Sequence, residues 1–168
     1  MKNIITIYLF MLMSLFLLSN ERTTEYGHIS YVEPNSQVYI QRLDGKKDKA
    51  IINLPVVPGD KIISAGKSRC EIQFNNGTII RLGHNTILKV VTILAETLTT
   101  KKNVSTLELS EGKIYIMSQV YNKEIFQIKT DNTAALFKKN TVAILQHRDK
   151  KTDIDVLKGS IHVILEMT

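Results

Sequence analysis

The chain has 168 residues, which is enough for one domain with one hydrophobic core. Its formal net charge of +6 is only mildly basic. The lysine pairs fall in predicted loops without interleaved aromatic residues, so the charge does not indicate a nucleic-acid-binding face. The only cysteine, Cys70, excludes an internal disulfide, and strand alternation predicts that it is a buried core residue.

Residues 1–19 have the layout of a secretory signal peptide: a short charged start, an apolar run from Ile4 to Leu18, and a polar break at Ser19. A membrane-spanning helix needs about 20 apolar residues, and this run is shorter. We therefore expect cleavage near Ser19 and a periplasmic or extracellular protein, the alternative being an uncleaved inner-membrane anchor. Residues 20–26 form a polar tail, and residues 27–166 form one β domain.

The first half of that domain alternates apolar and polar residues. Residues 27–42 predict two strands around a turn at Pro34. Residues 50–57 are extended, and Pro55 indicates an edge or irregular strand. The dipeptide Gly59-Asp60 predicts a tight turn, in which the Asp60 side chain stabilises the backbone. A short strand from Lys61 follows.

One pattern then occurs three times, with apolar residues five and three positions before a glycine and two positions after it. The glycines are Gly77, Gly112 and Gly159. Strand alternation places these apolar side chains on one face, and a tight turn requires a residue with positive φ. We interpret all three copies as β-hairpins, the first with Asn76 in its turn. A further turn is predicted at Gly83.

The remaining segments are also strands and loops. A polar loop is predicted at 95–105, strands at 125–130 and 142–146, and a charged turn at 147–153. Outside residues 1–19, no stretch keeps a helical period for three turns. The sequence thus predicts an all-β domain of stacked short hairpins, solenoid-like or sandwich-like. The residues assigned to structural turns are Gly59, Asp60, Asn76, Gly77, Gly83, Gly112 and Gly159.

The order of these segments resembles the FecR domain of bacterial envelope proteins. The matching segments are 27–32, 53–62, 69–78, 81–86, 107–114, 126–130 and 156–161. Two positions depart from the family's usual pattern, since Asn140 precedes Thr141 and Pro34-Asn35 stands in the first turn where glycine is usual. The departures concern local turn geometry.

The resemblance implies an all-β domain that binds other proteins. The best-known members are periplasmic sensors, which relay a signal from an outer-membrane transporter to a cytoplasmic anti-sigma region. Only three residues precede the apolar run here, so we expect an exported, free-standing version of the domain.

No catalytic, cofactor or metal site is predicted. The histidines His28, His84, His147 and His162 have no nucleophile or metal-ligand spacing. We therefore expect a non-enzymatic binding domain of the envelope, linked to signalling, whose partner is a protein or an envelope polysaccharide. A structural or polysaccharide-associated protein is the alternative, and an envelope hydrolase is the less favoured one. The expected contact surface is the outer faces and edges of the hairpins, including Arg81, Lys113, Tyr115 and His162.

Overall fold

A computed structural model describes residues 27–96, 102–121 and 123–165, and every regular element within these ranges is a β-strand. The predicted signal peptide (1–19) and polar tail (20–26) lie outside the described residues. The strands are β1 (Gly27–Val32), β2 (Gln37–Gln41), β3 (Lys47–Lys49), β4 (Lys61–Ala65), β5 (Cys70–Phe74), β6 (Ile79–Leu82), β7 (Thr86–Glu96), β8 (Asn103–Ser118), β9 (Glu124–Lys129), β10 (Thr133–Phe137), β11 (Thr141–Arg148), β12 (Lys151–Lys158) and β13 (Ile161–Leu165). The all-β prediction is confirmed.

The strands form two sheets that share the long strand β8. In the first sheet the order is β1-β5-β6-β8-β11-β12. In the second sheet the order is β3-β2-β4-β7-β8-β9-β10-β13. The described pairs are antiparallel apart from β8 with β9, which is parallel.

The core lies between the inward rows of the two sheets. Because side chains alternate along each strand, every second residue is buried, as in β5, where Cys70, Ile72 and Phe74 point inward. Edge-to-face contacts join Phe74, Phe126 and Phe137, with ring centroids 5.9 and 6.0 Å apart. The prediction that Cys70 is a core residue is confirmed, since the residue is buried.

Only the first of the three repeated patterns is a hairpin. The chain turns back at residues 75–77 between β5 and β6, and Gly77 has a φ of +82°. The Gly77 N–H donates to the Phe74 carbonyl, and the Phe74 N–H donates to the Thr78 carbonyl. This closes a three-residue loop whose last residue is left-handed.

The hairpins predicted at Gly112 and Gly159 are wrong, because both glycines are corners at which the chain passes from one sheet to the other. Residues of β8 before Gly112 pair in the second sheet, and residues after it pair in the first. Likewise β12 pairs with β11 in the first sheet, whereas β13 pairs with β10 in the second. The apolar spacing is the same at a hairpin and at a corner, since both need alternation on either side of a left-handed residue.

Each corner glycine packs against an Asn-Thr turn of a neighbouring layer. A Cβ on Gly112 would lie 2.4 Å from Thr86 Oγ1, and a Cβ on Gly159 would lie 2.7 Å from Thr141 Oγ1. Thr86 Oγ1 accepts the Lys113 N–H at 3.0 Å, and Thr141 Oγ1 accepts the Ser160 N–H at 3.3 Å. These buried hydroxyls therefore satisfy the backbone at both corners.

The departures at the Asn-Thr turn and in the first turn preserve the geometry that glycine would give. Asn140 has a φ of +57° and Asn35 a φ of +59°. Asparagine is among the residues that most readily adopt the left-handed region.

Two predicted loop boundaries need correction. The loop predicted at 95–105 is shorter, because β7 extends to Glu96 and β8 begins at Asn103. The turn predicted at 147–153 is confined to residues 149–150, because β11 runs to Arg148 and β12 begins at Lys151.

Candidate interaction site

The ends of the two sheets formed by β12 and β13 carry exposed apolar side chains, and we call this region the open end. Among the described residues, β12 pairs only with β11, and β13 pairs only with β10. Register places Val156 opposite buried Ala143, and Val163 opposite buried Ala135, so both valines belong to the inward rows. They are nevertheless 46% and 45% exposed, and Leu165 on the same row is 75% exposed.

The other ends of the two sheets are protected in two different ways, and we call this region the closed end. Residues 50–57 lie along β1: the Ile29 N–H donates to the Leu54 carbonyl, and the Val56 N–H donates to the Gly27 carbonyl. In the second sheet the last strand is the three-residue β3, with the sequence Lys-Asp-Lys. Short, charged or covered edge strands are the features by which native sheets avoid pairing with other chains. Pro55 forms an isolated β-bridge with His28 and no continuous strand, so 50–57 is the irregular segment that the sequence indicated.

The outer face of the first sheet carries a cross-strand row of polar and aromatic side chains. Register aligns Tyr31, Glu71, Arg81 and Tyr115 on four neighbouring strands. Arg81 Nε donates to Glu71 Oε2 at 2.5 Å, and its guanidinium lies 5.6 Å from the centre of the Tyr115 ring. Burial raises the pKa of Glu71, but the hydrogen bonds from Arg81 and from the Ser30 hydroxyl outweigh it, so the net pKa is lowered.

The four residues expected at the contact surface are therefore divided between two sheets. Arg81, Lys113 and Tyr115 lie on the first sheet, where Lys113 is exposed beside the Gly112 corner. His162 is exposed on β13 of the second sheet, opposite Leu136. The structure does not bring His162 together with the other three.

The turn residues near the closed end are held by side-chain hydrogen bonds. Asp60 Oδ2 accepts the Val57 N–H at 2.9 Å and the Arg42 guanidinium at 2.5 Å, while Gly59 has a φ of +95°. Burial raises the pKa of Asp60 more than the Val57 amide and the Arg42 guanidinium lower it. This carboxyl group is 1% exposed and fully used by the turn, so it is not placed for catalysis.

The remaining predicted turns have different causes. Asn76 Oδ1 accepts the Thr78 N–H at 2.9 Å, which fixes the hairpin loop before Gly77. Gly83 does not have positive φ. Instead, a Cβ at this position would lie 3.1 Å from the Lys113 carbonyl, so close approach of two strands favours glycine there.

One cluster was missed by the sequence analysis. His147 is buried, with Nε2 3.2 Å from Asp131 Oδ1 and Nδ1 3.0 Å from Thr152 Oγ1. An acid, a histidine and a hydroxyl in this order have the composition of a nucleophilic triad. However, Thr152 Oγ1 also lies 2.9 Å from Thr130 Oγ1 and 3.0 Å from Asn132 Oδ1, so the hydroxyl is surrounded by partners. The cluster therefore ties the turns at 131–132 and 149–150 together.

Within the described ranges, no group of three His, Cys, Asp or Glu side chains could hold a metal ion. Burial raises the pKa of the Cys70 thiol to about 12, which keeps it protonated and unreactive at neutral pH. In the same ranges, no helix has the length and apolar character needed to cross a membrane.

Comparisons with known proteins identify the family. The profile described as "FecR protein" matches residues 60–162. Two crystal structures titled as a "putative anti-sigma factor" from Parabacteroides distasonis ATCC 8503, at 1.65 and 2.50 Å resolution, are similar at 13% identity and a TM-score of 0.44. The match covers 62% of this chain and spans half the length of that protein. No curated protein matches significantly. Because the profile covers more than half of the chain, the chain belongs to the FecR protein family.

Proposed function

We propose that this FecR-family chain is an exported, non-enzymatic interaction domain, which binds a partner protein in envelope signalling through its open end. Membership of the family supports a signalling-related interaction domain. The observation that carries the proposal is the contrast in burial at the two ends of the sheets. Inward-row valines are exposed on β12 and β13, the last strands at the open end, whereas Ile29, on the last strand β1 at the closed end, is fully buried.

The open end offers both backbone and side-chain recognition. β12 and β13 each have one edge whose N–H and C=O groups can pair with an added strand. A partner strand that continues either sheet would cover Val156 or Val163. Burial of the exposed apolar surface of each valine would contribute about 1 kcal/mol or more to the free energy of binding. Backbone pairing gives affinity, and the apolar row selects a strand that alternates apolar and polar residues.

The proposed periplasmic or extracellular location rests on residues 1–19. A charged start and a short apolar run support export and cleavage near Ser19. Mass analysis of the protein from the envelope fraction tests this proposal. We expect a mature N-terminus at or near Asn20, and an intact Met1 terminus in the cytosolic fraction would contradict it.

The function itself is tested by affinity capture from an envelope extract, with variants that change one end at a time. Val156→Lys combined with Val163→Lys places two charges on the open end. Ile52→Lys is the matched control, because Ile52 is also an exposed apolar residue but lies at the closed end. We expect one discrete partner to be retained by the parent and by Ile52→Lys and lost from the double variant.

Two results would contradict the proposal. Equal capture by the double variant would show that the open end is not the contact. Capture of only a second copy of this chain would show self-assembly in place of a signalling partner.

A further inference from the structure

A cleft with several charged lining residues lies at the Gly112 corner, and none of its lining residues belongs to β12 or β13. It has a volume of about 440 Å³, within the range of small-molecule sites. Its charged lining residues are Arg69, Lys113, Arg148 and Glu111, and its lining also includes Gly83 and Gly112. Backbone geometry alone accounts for both glycines, and it gives the cleft no role.

The strand register explains why a cleft forms here. Cys70 pairs with Leu82, so Arg69 and Gly83 lie next to each other at the ends of β5 and β6. The Gly83 N–H donates to the Lys113 carbonyl, and Gln146 pairs with Lys113 on β11. Arg69, Gly83, Lys113 and Gln146 thus form one row across four neighbouring strands. Because Gly83 has no side chain, the row has a gap between its two cations.

The cations in the cleft are separated by different distances in two directions of the sheet. Neighbouring strands are about 4.8 Å apart, so Arg69 and Lys113 are separated by roughly 10 Å at the backbone. Arg148 is the diagonal neighbour of Lys113, at about 7–8 Å. Arg69 Nε donates to His84 Nε2 at 3.3 Å, which orients the guanidinium, and Arg148 makes only an exposed ion pair of 3.5 Å with Asp149. Among the described residues, Arg69 and Lys113 make no ion pair with a carboxylate.

The other lining groups select among anionic ligands. Glu111 lies two residues from Lys113 on β8, and Gln146 lies opposite Lys113 on β11. The carboxylate can accept hydrogen bonds from hydroxyl groups, and the amide can both accept and donate them. A carboxylate also repels densely charged phosphate chains. Arg69 additionally lines an adjoining cleft of about 450 Å³, which contains the exposed ring of Tyr31. An exposed aromatic face beside polar side chains offers an apolar surface with polar groups at its rim.

We propose that this cleft binds a carboxylated polysaccharide, with its carboxylate groups on Arg69, Lys113 and Arg148 and its hydroxyl groups on Glu111 and Gln146. When a polysaccharide carries a carboxylate on every sugar or on every second sugar, two of its carboxylates can reach Arg69 and Lys113, which lie two strands apart. The site is distinct from the open end, so a glycan and a partner protein bind the chain at the same time.

Titration calorimetry with the domain from residue 20 onward, preceded by a check that it unfolds cooperatively, tests the proposal. The probe is hexagalacturonate, and maltohexaose is the neutral comparison. The variants are Lys113→Gln and Arg148→Gln, with Lys138→Gln as the control, because Lys138 is exposed and lines neither cleft. We expect hexagalacturonate to bind and maltohexaose not to bind. Each cleft variant should weaken binding about tenfold, since a hydrogen bond to a charged group is worth roughly that factor.

The control variant should bind like the parent, and binding should weaken as salt is raised. Equal binding of maltohexaose, equal loss in Lys138→Gln, or no binding of hexagalacturonate would overturn the proposal. Tighter binding of a polyphosphate of the same charge would also overturn it, because the cleft would then recognise charge alone. None of these results bears on capture of a protein at the open end, which the cleft variants leave unchanged.

Discussion

The closed and open ends of the molecule are built from the same alternating strands, and they differ in what lies beyond the last strand. At the closed end, β1 is covered by residues 50–57, and β3 is three residues long and charged. At the open end, β12 has eight residues and β13 has five, and the inward-row valines Val156 and Val163 are 46% and 45% exposed. The difference teaches that apolar alternation specifies an inward face, whereas burial of that face depends on a neighbouring layer.

The largest effect is expected at the corners that join the two sheets. Gly112→Ala would place a Cβ within 2.4–2.7 Å of atoms of Thr86 and Asn85, in addition to the strain of positive φ. We expect a loss of about 3–4 kcal/mol in the free energy of unfolding. Gly159→Ala should cost about 2–3 kcal/mol, because its contacts of 2.7–3.0 Å are less severe and its surroundings at the open end can move.

Gly77→Ala is the control for this prediction. Its Cβ would meet nothing closer than 3.7 Å, so only the backbone strain of about 1 kcal/mol applies. Denaturant titration of the three variants measures the loss in the free energy of unfolding for each, and the loss should fall in the order Gly112→Ala, Gly159→Ala, Gly77→Ala. Equal costs would mean that all three glycines are equivalent turns and that the corner account is wrong.

The next largest effect is the difference in the free energy of unfolding between truncating a valine near the closed end and truncating one at the open end. Val38 is fully buried on β2, whereas Val163 is 45% exposed on β13. Val38→Ala should lower the free energy of unfolding by about 2 kcal/mol, through lost apolar burial and the cavity left behind. Val163→Ala should cost about 0.5 kcal/mol, as for a surface site. A large cost at Val163, measured on the isolated chain, would show that the open end is already covered.

Much of this contrast could be predicted from the sequence, and some could not. Alternation predicted the all-β class, the burial of Cys70 and the irregular segment at Pro55, because these depend on local spacing and on the missing proline N–H. The corners at Gly112 and Gly159 could not be distinguished from hairpins, since pairing partners distant in sequence decide between them. The Asp131–His147–Thr152 cluster was missed for the same reason. The Asn-Thr dipeptides at 85–86 and 140–141 face the two corner glycines, but the same dipeptide at 132–133 faces neither, so it does not locate a corner by itself.

A smaller effect is expected on the outer row of the first sheet, which runs from β1 at the closed end towards β12 at the open end. Because the folded-state pKa of Glu71 lies below its ordinary value of 4.5, this carboxylate stabilises the fold above about pH 4.5. Its contribution is lost as the pH falls through the folded-state pKa. Glu71→Gln should cost about 1 kcal/mol at pH 7, since Arg81 is largely exposed.

The pH profile of Glu71→Gln separates this ion pair from a packing effect. The stability difference between the parent and the variant in urea titrations should be present at pH 7 and shrink as the pH falls through the folded-state pKa of Glu71. A difference that does not shrink on acidification would mean that the ion pair does not cause it.

The smallest effect concerns the thiol in β5, next to the closed end. Cys70 is 1% exposed, and burial raises its pKa to about 12. Iodoacetamide at pH 8 should leave it unmodified over hours in the native protein and alkylate it completely in denaturant. Rapid alkylation of the native protein would show that the closed end opens.

Photo-crosslinking in intact cells tests most directly the central claim that the open end is the docking surface. A photoreactive amino acid is placed at Val163 in one strain and at Ile52 in another, so that the two exposed apolar positions are compared at equal expression. We predict one discrete adduct with a different protein from position 163 and none from position 52. Adducts of equal yield from both positions, or none from position 163, would contradict the account.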